Sequence, residues 1–495
     1  MSTEFEPRIP ATDLAQALEV LAHANDLAEE HPDRVTLMHA TAKLYKTVKK
    51  NRRLEAKRKV QQHDTAIVHA TATGAPTRID DETEGLDLTS PTEGKFAGTL
   101  LNSQACYICK EHYVDVDYFY HQLCPTCAAF NHARREATTD LHGKTALLTG
   151  GRAKIGMHIA LRLLRAGAHT TITTRFPNDA IRRFKALDDS STWIHNLKIV
   201  GIDLRDPGQV VALADEVSAA GPLDILINNA AQTVRRSPGA YAPLAAAEDS
   251  PLPQGILPAL VTLGRTYDPH PATLEGQIQG GAALTHPSVT TPAFLTSLAM
   301  TAGSASLERI AAGTAIDAAG LLPDLVDSNS WVQGVEDVDP LELLEVQLCN
   351  STAPFILISR LRASLREAAA RSAAASGRGR SYVVNVSAME GVFNRGYKGA
   401  GHPHTNMAKA ALNMLTRTSA GEMFEADQIL MTSVDTGWIT DERPHVTKVR
   451  LAEEGFHAPL DLVDGAARVY DPIVRGEAGE DLYGCFLKDY APGKW

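Results

Sequence analysis

Apolar positions change character along the chain. Near the N-terminus Leu14, Leu18 and Leu21 recur at spacings of four and three behind Thr12, a capping residue, and predict an amphipathic helix over 11–31. Pro32 interrupts it. A second helix is predicted from about Asp33 into the fifties, with Val35, Met38, Leu44 and Val48 facing inward. Residues 72–98 are rich in Thr, Gly, Pro and acids and read as a linker. From Leu141 onward short apolar runs alternate with periodic helical stretches. Thr145 to Leu148 reads as a buried strand. Ile159, Leu161, Leu163, Leu164 and Ala166 give a helix closed by Gly167, and 168–174 is a β-branched strand. Further strands are expected at 223–227 and 381–386. Helices are expected over 341–361, kinked at Pro354, and from about Thr405. The tail GCFLKDYAPGKW reads as a last strand with an aromatic end. Strand and helix in alternation predict an α/β domain over 138–495 with a doubly wound, Rossmann-type parallel sheet. Residues 238–338, rich in Ala, Pro, Gly, Ser and Thr, do not fit that rhythm. They read as an insertion, helical around 306–319 and otherwise loosely ordered, serving as a substrate lid or as a plain surface excursion.

Between the first two strands of the α/β region lies the turn Thr149-Gly150-Gly151-Arg152-Ala153-Lys154-Ile155-Gly156. Its glycines stand where a backbone must approach a pyrophosphate, and the helix that follows offers its first amides to that anion. The bland alternative is a tight turn in some other α/β protein. Arg175 ends the second strand, where an acid would take the ribose hydroxyls of NAD. A cation there favours the 2′-phosphate of NADP, and Arg152 and Lys154 add charge on the same side.

At 495 residues the chain has room for two or three units, and 44% apolar with 22% charged residues is a globular balance. No run of about 18 apolar residues predicts a membrane span, and MSTEFEPRIP lacks the layout of a secretory signal, so a cytoplasmic protein is expected. A net charge of −11 argues against nucleic-acid binding by the whole chain. The second helix ends in a basic cluster: Lys43, Lys46, Lys49, Lys50, Arg52, Arg53, Lys57, Arg58 and Lys59 against Glu55. It is either a surface for an acidic partner or a solvated face. Four of the six cysteines form the pairs Cys106/Cys109 and Cys124/Cys127, with fourteen residues between the pairs. Two such knuckles complete a tetrahedral zinc site of four thiolates with no place left for water, which makes the zinc structural. A redox dithiol is the alternative. His112 and His121 read as ordinary loop histidines. The organisation expected is thus a helical region with a basic helix (1–71), a linker (72–98), a small zinc module (99–137) and the α/β domain.

Over 141–237 and 339–495 the chain resembles the short-chain dehydrogenase/reductase family. Thr149, Gly150 and Gly156 match the fingerprint Thr-Gly-x-x-x-Gly-x-Gly, with Lys154 in place of the middle glycine. Asp203 in GIDLRD and Asn228-Asn229-Ala230-Ala231 match later marks of the family. The resemblance implies a dinucleotide held by Thr149, Gly150, Arg152, Lys154, Ile155, Gly156, Arg175, Asp203, Leu204, Asn229, Ala230 and Lys409. Gly437 and Thr440 would meet the nicotinamide carboxamide, with Thr440 one residue early. It also implies an asparagine in a proton relay, here Asn350, and a lysine that binds the ribose, here Lys409. The usual tyrosine is Thr405 and the usual serine is Ala388. His404, Tyr397 and Ser387 are the side chains that would take over the acid–base work, alongside Thr405 itself. Two readings follow. One is an NADP-dependent oxidoreductase acting on a carbonyl or alcohol, without a membrane and as a homo-oligomer. The other is a dinucleotide-binding scaffold or sensor without turnover, in which the zinc module and basic helix carry the interaction.

Overall fold

A computed structural model describes residues 9–78, 88–236, 238–264, 266, 317–322, 326–440 and 442–495. The chain forms two compact units, Met1–Ile67 with Thr99–Ser103, and Val68–Gly98 with Gln104–Trp495. In the first, helices span Ala11–His23 and Pro32–His69. The second helix is longer than its apolar spacing implied. The inward face expected for Val35, Met38, Leu44 and Val48 is a correction: all four are exposed, as are Leu14, Leu18 and Leu21. Spacing puts residues on one face of a helix, but burial needs a partner surface.

β1 (Phe96–Ala105), only the ends of which belong to the second unit, and β2 (His112–Asp117) form a two-stranded ribbon that carries the cysteine knuckles, and the helix Pro125–Glu136 follows. The nine-stranded sheet is built from β3 (Thr145–Leu148), β4 (His169–Thr174), β5 (Leu197–Gly201), β6 (Ile225–Asn228), β7 (Ala259–Thr262), β8 (Ser381–Ser387), β9 (Ile429–Asp435), β10 (Phe486–Lys488) and β11 (Ala491–Gly493). Its order is β11-β10-β9-β8-β6-β3-β4-β5-β7, parallel except at β11. Alternate residues feed two layers. Ala146, Leu148, Ile225, Ile227, Tyr382 and Val384 pack with the helices Lys154–Arg165 and Leu462–Glu477. Leu147, Leu226 and Val383 pack with Pro207–Ala219, Ala353–Ser376 and Pro403–Asp427. Both faces are covered, which is why these strands read as unbroken apolar runs. The fold is the doubly wound α/β architecture. Chain order reverses between β3 and β6, and the carboxyl ends of those strands frame a crevice.

Several expectations change. The described part of the insertion holds a helix, Ala242–Glu248, and β7, which extends the sheet beside β5. Of the helix expected around 306–319, residues up to 316 lie outside the described residues, and 317–322 form a turn. Pro354 does not kink its helix. It sits in the first turn of Ala353–Ser376, and the irregularity is a π-helical turn just before it, Leu348–Thr352. The helix Pro340–Ala375 reaches a mean hydropathy of 1.2 over an 18-residue window, long and apolar enough for a membrane span, with half of that window buried inside the fold.

The linker reading fails for its first residues. Thr71, Ala72 and Thr73 are fully buried, and Thr73 bonds Phe119 and His121. Arg78 donates to the carbonyls of Ala458 and Leu460, both at 2.7 Å. Nor is the cysteine module separate from the sheet domain. Arg135 grips Asp461 with two bonds of 2.6 and 2.7 Å, and Arg134 pairs with Asp471 at 2.7 Å. Tyr120 donates to Asp464 at 2.5 Å, and Arg468 donates to Asn131 at 2.9 Å. Burial, then the neighbouring Asp461 carboxylate, pushes Asp464 up to about 6.

Candidate functional site: a dinucleotide cleft and its closed inner end

The turn after β3 is shaped by contacts that exclude side chains. Gly150 has φ +70°, and a Cβ there would stand 2.9 Å from the Cα of Ala230. A Cβ on Gly156 would stand 1.9 Å from the Gly150 carbonyl oxygen. The helix Lys154–Arg165 therefore lies directly on the turn, and no side chain caps its first amides. Lys154, in place of the family's middle glycine, holds the left-handed conformation at φ +51°. The turn is tied to the end of β6. Thr149 Oγ1 accepts from the amides of Asn229 and Ala230, both at 3.0 Å, and Asn229 Nδ2 donates to the carbonyls of Thr149 and Gly150 at 3.1 Å.

These groups open into a cleft of ≈ 380 Å³ at the switch point, also lined by Ile155, Arg175, Phe176, Asp203, Leu204 and Tyr241. Arg175 stacks its guanidinium over the rings of Tyr241, 4.8 Å away, and Phe176, 5.4 Å away. No carboxylate among the described residues pairs with it. The charge expected from its two neighbours is already engaged. Arg152 is buried and bonded to Asp179, and Lys154 pairs with Asp317 at 3.4 Å. A buried guanidinium needs such a partner to offset its lost hydration. Asp203 is held by Arg205 through bonds of 3.0 and 2.7 Å, and Arg205 reaches Glu345 at 3.0 Å.

Behind the cleft runs a strap, residues 231–236. Asn350, in the π-helical turn, accepts from the Gln232 amide at 2.7 Å and donates to the Gln232 carbonyl at 2.8 Å. Thr405 Oγ1 donates to the Thr233 carbonyl at 3.5 Å, and Glu342 accepts from the Arg235 amide at 2.8 Å. Arg236 meets Glu442 at 3.6 Å where both line the cleft. None of the six side chains expected to act in catalysis lines the cleft as described.

Five of the six are buried. Lys409 donates to the Val386 carbonyl at 2.9 Å, and burial pushes its ammonium down to about 8. His404 is 1% exposed. Neither ring nitrogen has a hydrogen-bond partner among the described residues, and Nε2 lies 4.0 Å from Glu342. Burial, then His402, lowers its pKa, so the imidazole is neutral. Ser387 Oγ, at the end of β8, is buried without a partner among the described residues. Tyr397 is the exception: it is 80% exposed and does not join the others. Gly437 has φ +78°, and Thr440 is half-buried in the loop after β9.

Sequence reasoning missed three groups. Tyr241 comes from the insertion, whose composition gave no sign of it. Cys349, buried and lining the cleft, is concealed in an apolar helical run. Arg205 was legible as the basic residue two places after Asp203.

At the knuckles, the four sulfurs of Cys106, Cys109, Cys124 and Cys127 lie within 4.8 Å of one another, and those of Cys109 and Cys124 are 3.7 Å apart. Four thiolates at about 2.3 Å around one tetrahedral zinc stand about 3.8 Å apart. The donor set fits a zinc ion.

Comparison with known proteins adds the following. A family model described as short chain dehydrogenase matches residues 144–246. An uncharacterized protein, R665, of Acanthamoeba polyphaga mimivirus is 28% identical over 385 residues, covering 74% of this chain and 71% of that one. The short chain dehydrogenase/reductase dpchH of Colletotrichum higginsianum is 40% identical over 94 residues, which are 18% of this chain and 23% of that protein. The NADPH-bound carbonyl reductase from chicken fatty liver is 16% identical, with a TM-score of 0.42 over 72% of this chain and 100% of that one. With its glycine turn, its Asn-Asn-Ala segment and its doubly wound sheet, this chain is similar to short-chain dehydrogenases over the matched region, as a divergent relative.

Proposed function

We propose that the chain binds NADP(H) in this cleft and interconverts a carbonyl compound and its alcohol. The observation that carries the reading is Arg175, a cation just after β4 that lines the cleft and pairs with no carboxylate among the described residues. A 2′-phosphate would find a guanidinium held in place by two aromatic rings, whereas the end of β4 offers NAD a cation in the place of the acid that would take its ribose hydroxyls. The turn supports the same ligand, because its glycines let the helix Lys154–Arg165 lie close against it and no side chain caps that helix's first amides, which suit a pyrophosphate. When bound, the nicotinamide supplies or takes up a hydride. This chain's part is to orient the ligand and to hold the proton. Lys409 Nζ, shifted to about 8 and anchored on Val386, is brought toward neutrality for that task. The neutral His404 and the hydroxyl of Thr405 stand one residue apart on the same helix.

The test is a titration with NADPH and NADH at one fixed salt concentration. NADPH is expected to bind more tightly, and Arg175→Asp to reverse or erase the preference. Equal affinities in the unmodified protein overturn the reading.

A second reading, dinucleotide binding without turnover, is favoured by one observation. Asn350 and Thr405 spend their side chains on the strap. It replaces the first if NADPH binds but is oxidised with no member of a broad carbonyl panel, either by the unmodified protein or by Thr405→Tyr. In both readings Cys106, Cys109, Cys124 and Cys127 hold one structural zinc.

A further inference from the structure

The zinc knuckle touches the loop after β9. Tyr107 lies between Cys106 and Ile108 in the first knuckle, and its backbone amide donates to the Gln122 carbonyl at 2.8 Å beside the second. Its phenol oxygen accepts a hydrogen bond of 3.0 Å from the backbone amide of Trp438. Trp438 follows Gly437 in the segment Thr436 to Thr440, whose glycine has φ +78°. A second link runs beside the first. Lys488 on β10 stands 5.8 Å over the Tyr107 ring and 3.5 Å from Asp435, the last residue of β9. On the loop's other side Trp438 packs on Phe456 at 5.1 Å. The loop is thus held from three directions, and one of the holding groups belongs to a metal-binding turn. Two residues from Tyr107, Cys109 is an exposed member of the cysteine cluster.

We propose that Tyr107 is a positioning residue, through which zinc in the knuckle sets the loop for the nicotinamide end of the bound dinucleotide. The inference rests on the NADP(H) reading above. Because the phenol is fixed by the turn that grips the metal, losing the metal releases Trp438, and fixing Trp438 steadies the turn. Zinc and dinucleotide affinities are then linked and reciprocal. One hydrogen bond of ordinary worth makes the linkage about two- to tenfold. Its effect is local to the nicotinamide end, since the adenosine end rests on Arg175 and on the turn after β3, which Tyr107 does not touch.

The experiment uses the full chain loaded with zinc. Dissociation constants are measured for NADPH and for adenosine 2′,5′-bisphosphate, a probe of the adenosine end alone. Tyr107→Phe, which keeps the ring and removes the acceptor, is expected to weaken NADPH about two- to tenfold and leave the bisphosphate unchanged. In the unmodified protein, zinc release to a chelating dye is expected to slow by a similar factor when NADPH is bound, and not when the bisphosphate is bound. This second measurement stands even if Tyr107→Phe folds poorly. Equal weakening of both ligands marks a merely structural role and overturns the proposal, as does zinc release indifferent to NADPH. If the unmodified protein binds neither ligand, the NADP(H) reading itself falls and this one with it. If NADPH binds and only the coupling is missing, this one falls alone.

Discussion

Gly156→Ala isolates the contact on which the cleft depends. The added Cβ would lie 1.9 Å from the carbonyl oxygen of Gly150 and 2.8 Å from Asn229 Nδ2. Neither is the free end of a flexible chain. The oxygen is backbone, and Asn229 is bonded to both Thr149 and Gly150. The helix Lys154–Arg165 must therefore lift from the turn by roughly 1 Å or more to restore ordinary contact, and overpacking of that kind costs about 1–3 kcal/mol. Losing one of the Asn229 bonds adds about 1 kcal/mol. Alanine's better helix propensity returns about 1 kcal/mol. The net expectation is a loss of about 1–3 kcal/mol in urea unfolding, with NADPH affinity falling more than about tenfold because the amides no longer converge. Gly143→Ala is the control. Unlike Gly156 it sits at positive φ, +76°, and it has open space around its Cβ position. It should cost about 1 kcal/mol for its backbone alone and leave NADPH binding intact. Gly156→Ala with both stability and affinity unchanged would refute the reasoning.

Three further outcomes are expected. Metal analysis should return about one zinc per chain, and Cys106→Ser should lose it with a fall in thermal stability; metal-free protein of normal stability would rule this out. The Lys409 ammonium sits near 8 in the fold against about 10.4 in the unfolded chain, so between those values the unfolded chain holds the extra proton and stability rises with pH. A Lys409→Met variant should lack that rise, as read from urea midpoints between about pH 7 and 11, and parallel curves would contradict the assignment. His404→Ala should leave NADPH affinity near normal and lower turnover, whereas equal turnover would remove the imidazole from the proton's path.

What could be read from the sequence was local. Thr149, Gly150 and Gly156 announce their turn because the constraints on them act within one short stretch, between a buried apolar strand and an apolar helix. The order of the central strands follows from the same alternation. What could not be read depended on partners distant in sequence. The apolar spacing of Val35 to Val48 marks a helix, but nothing in it says whether anything covers that face. Asp203 matches a family position, yet its carboxylate is shared with Arg205, which Glu345 also holds from another helix. Asn350 and Thr405 were placed by resemblance to a reacting centre, and both are engaged by the backbone of 232–233. Strand β7 arises in a stretch whose Ala, Pro and Gly content gave little strand signal, and pairing with β5 supplies what its own residues lack.

The docking of the cysteine ribbon also constrains how the molecule is made. The ribbon leaves the ribosome early, but the carboxylates that receive Arg134 and Arg135, and the guanidinium of Arg468 that meets Asn131, lie between Asp461 and Asp471. Roughly 300 residues must be translated in between, which takes tens of seconds at about 5–20 residues per second. During that interval the knuckles lack those docking partners, and a zinc ion in the proposed four-thiolate site would be what holds them closed. For the same reason, a fragment that starts at residue 138 would lack Tyr120 and Asn131, which bond Asp464 and Arg468.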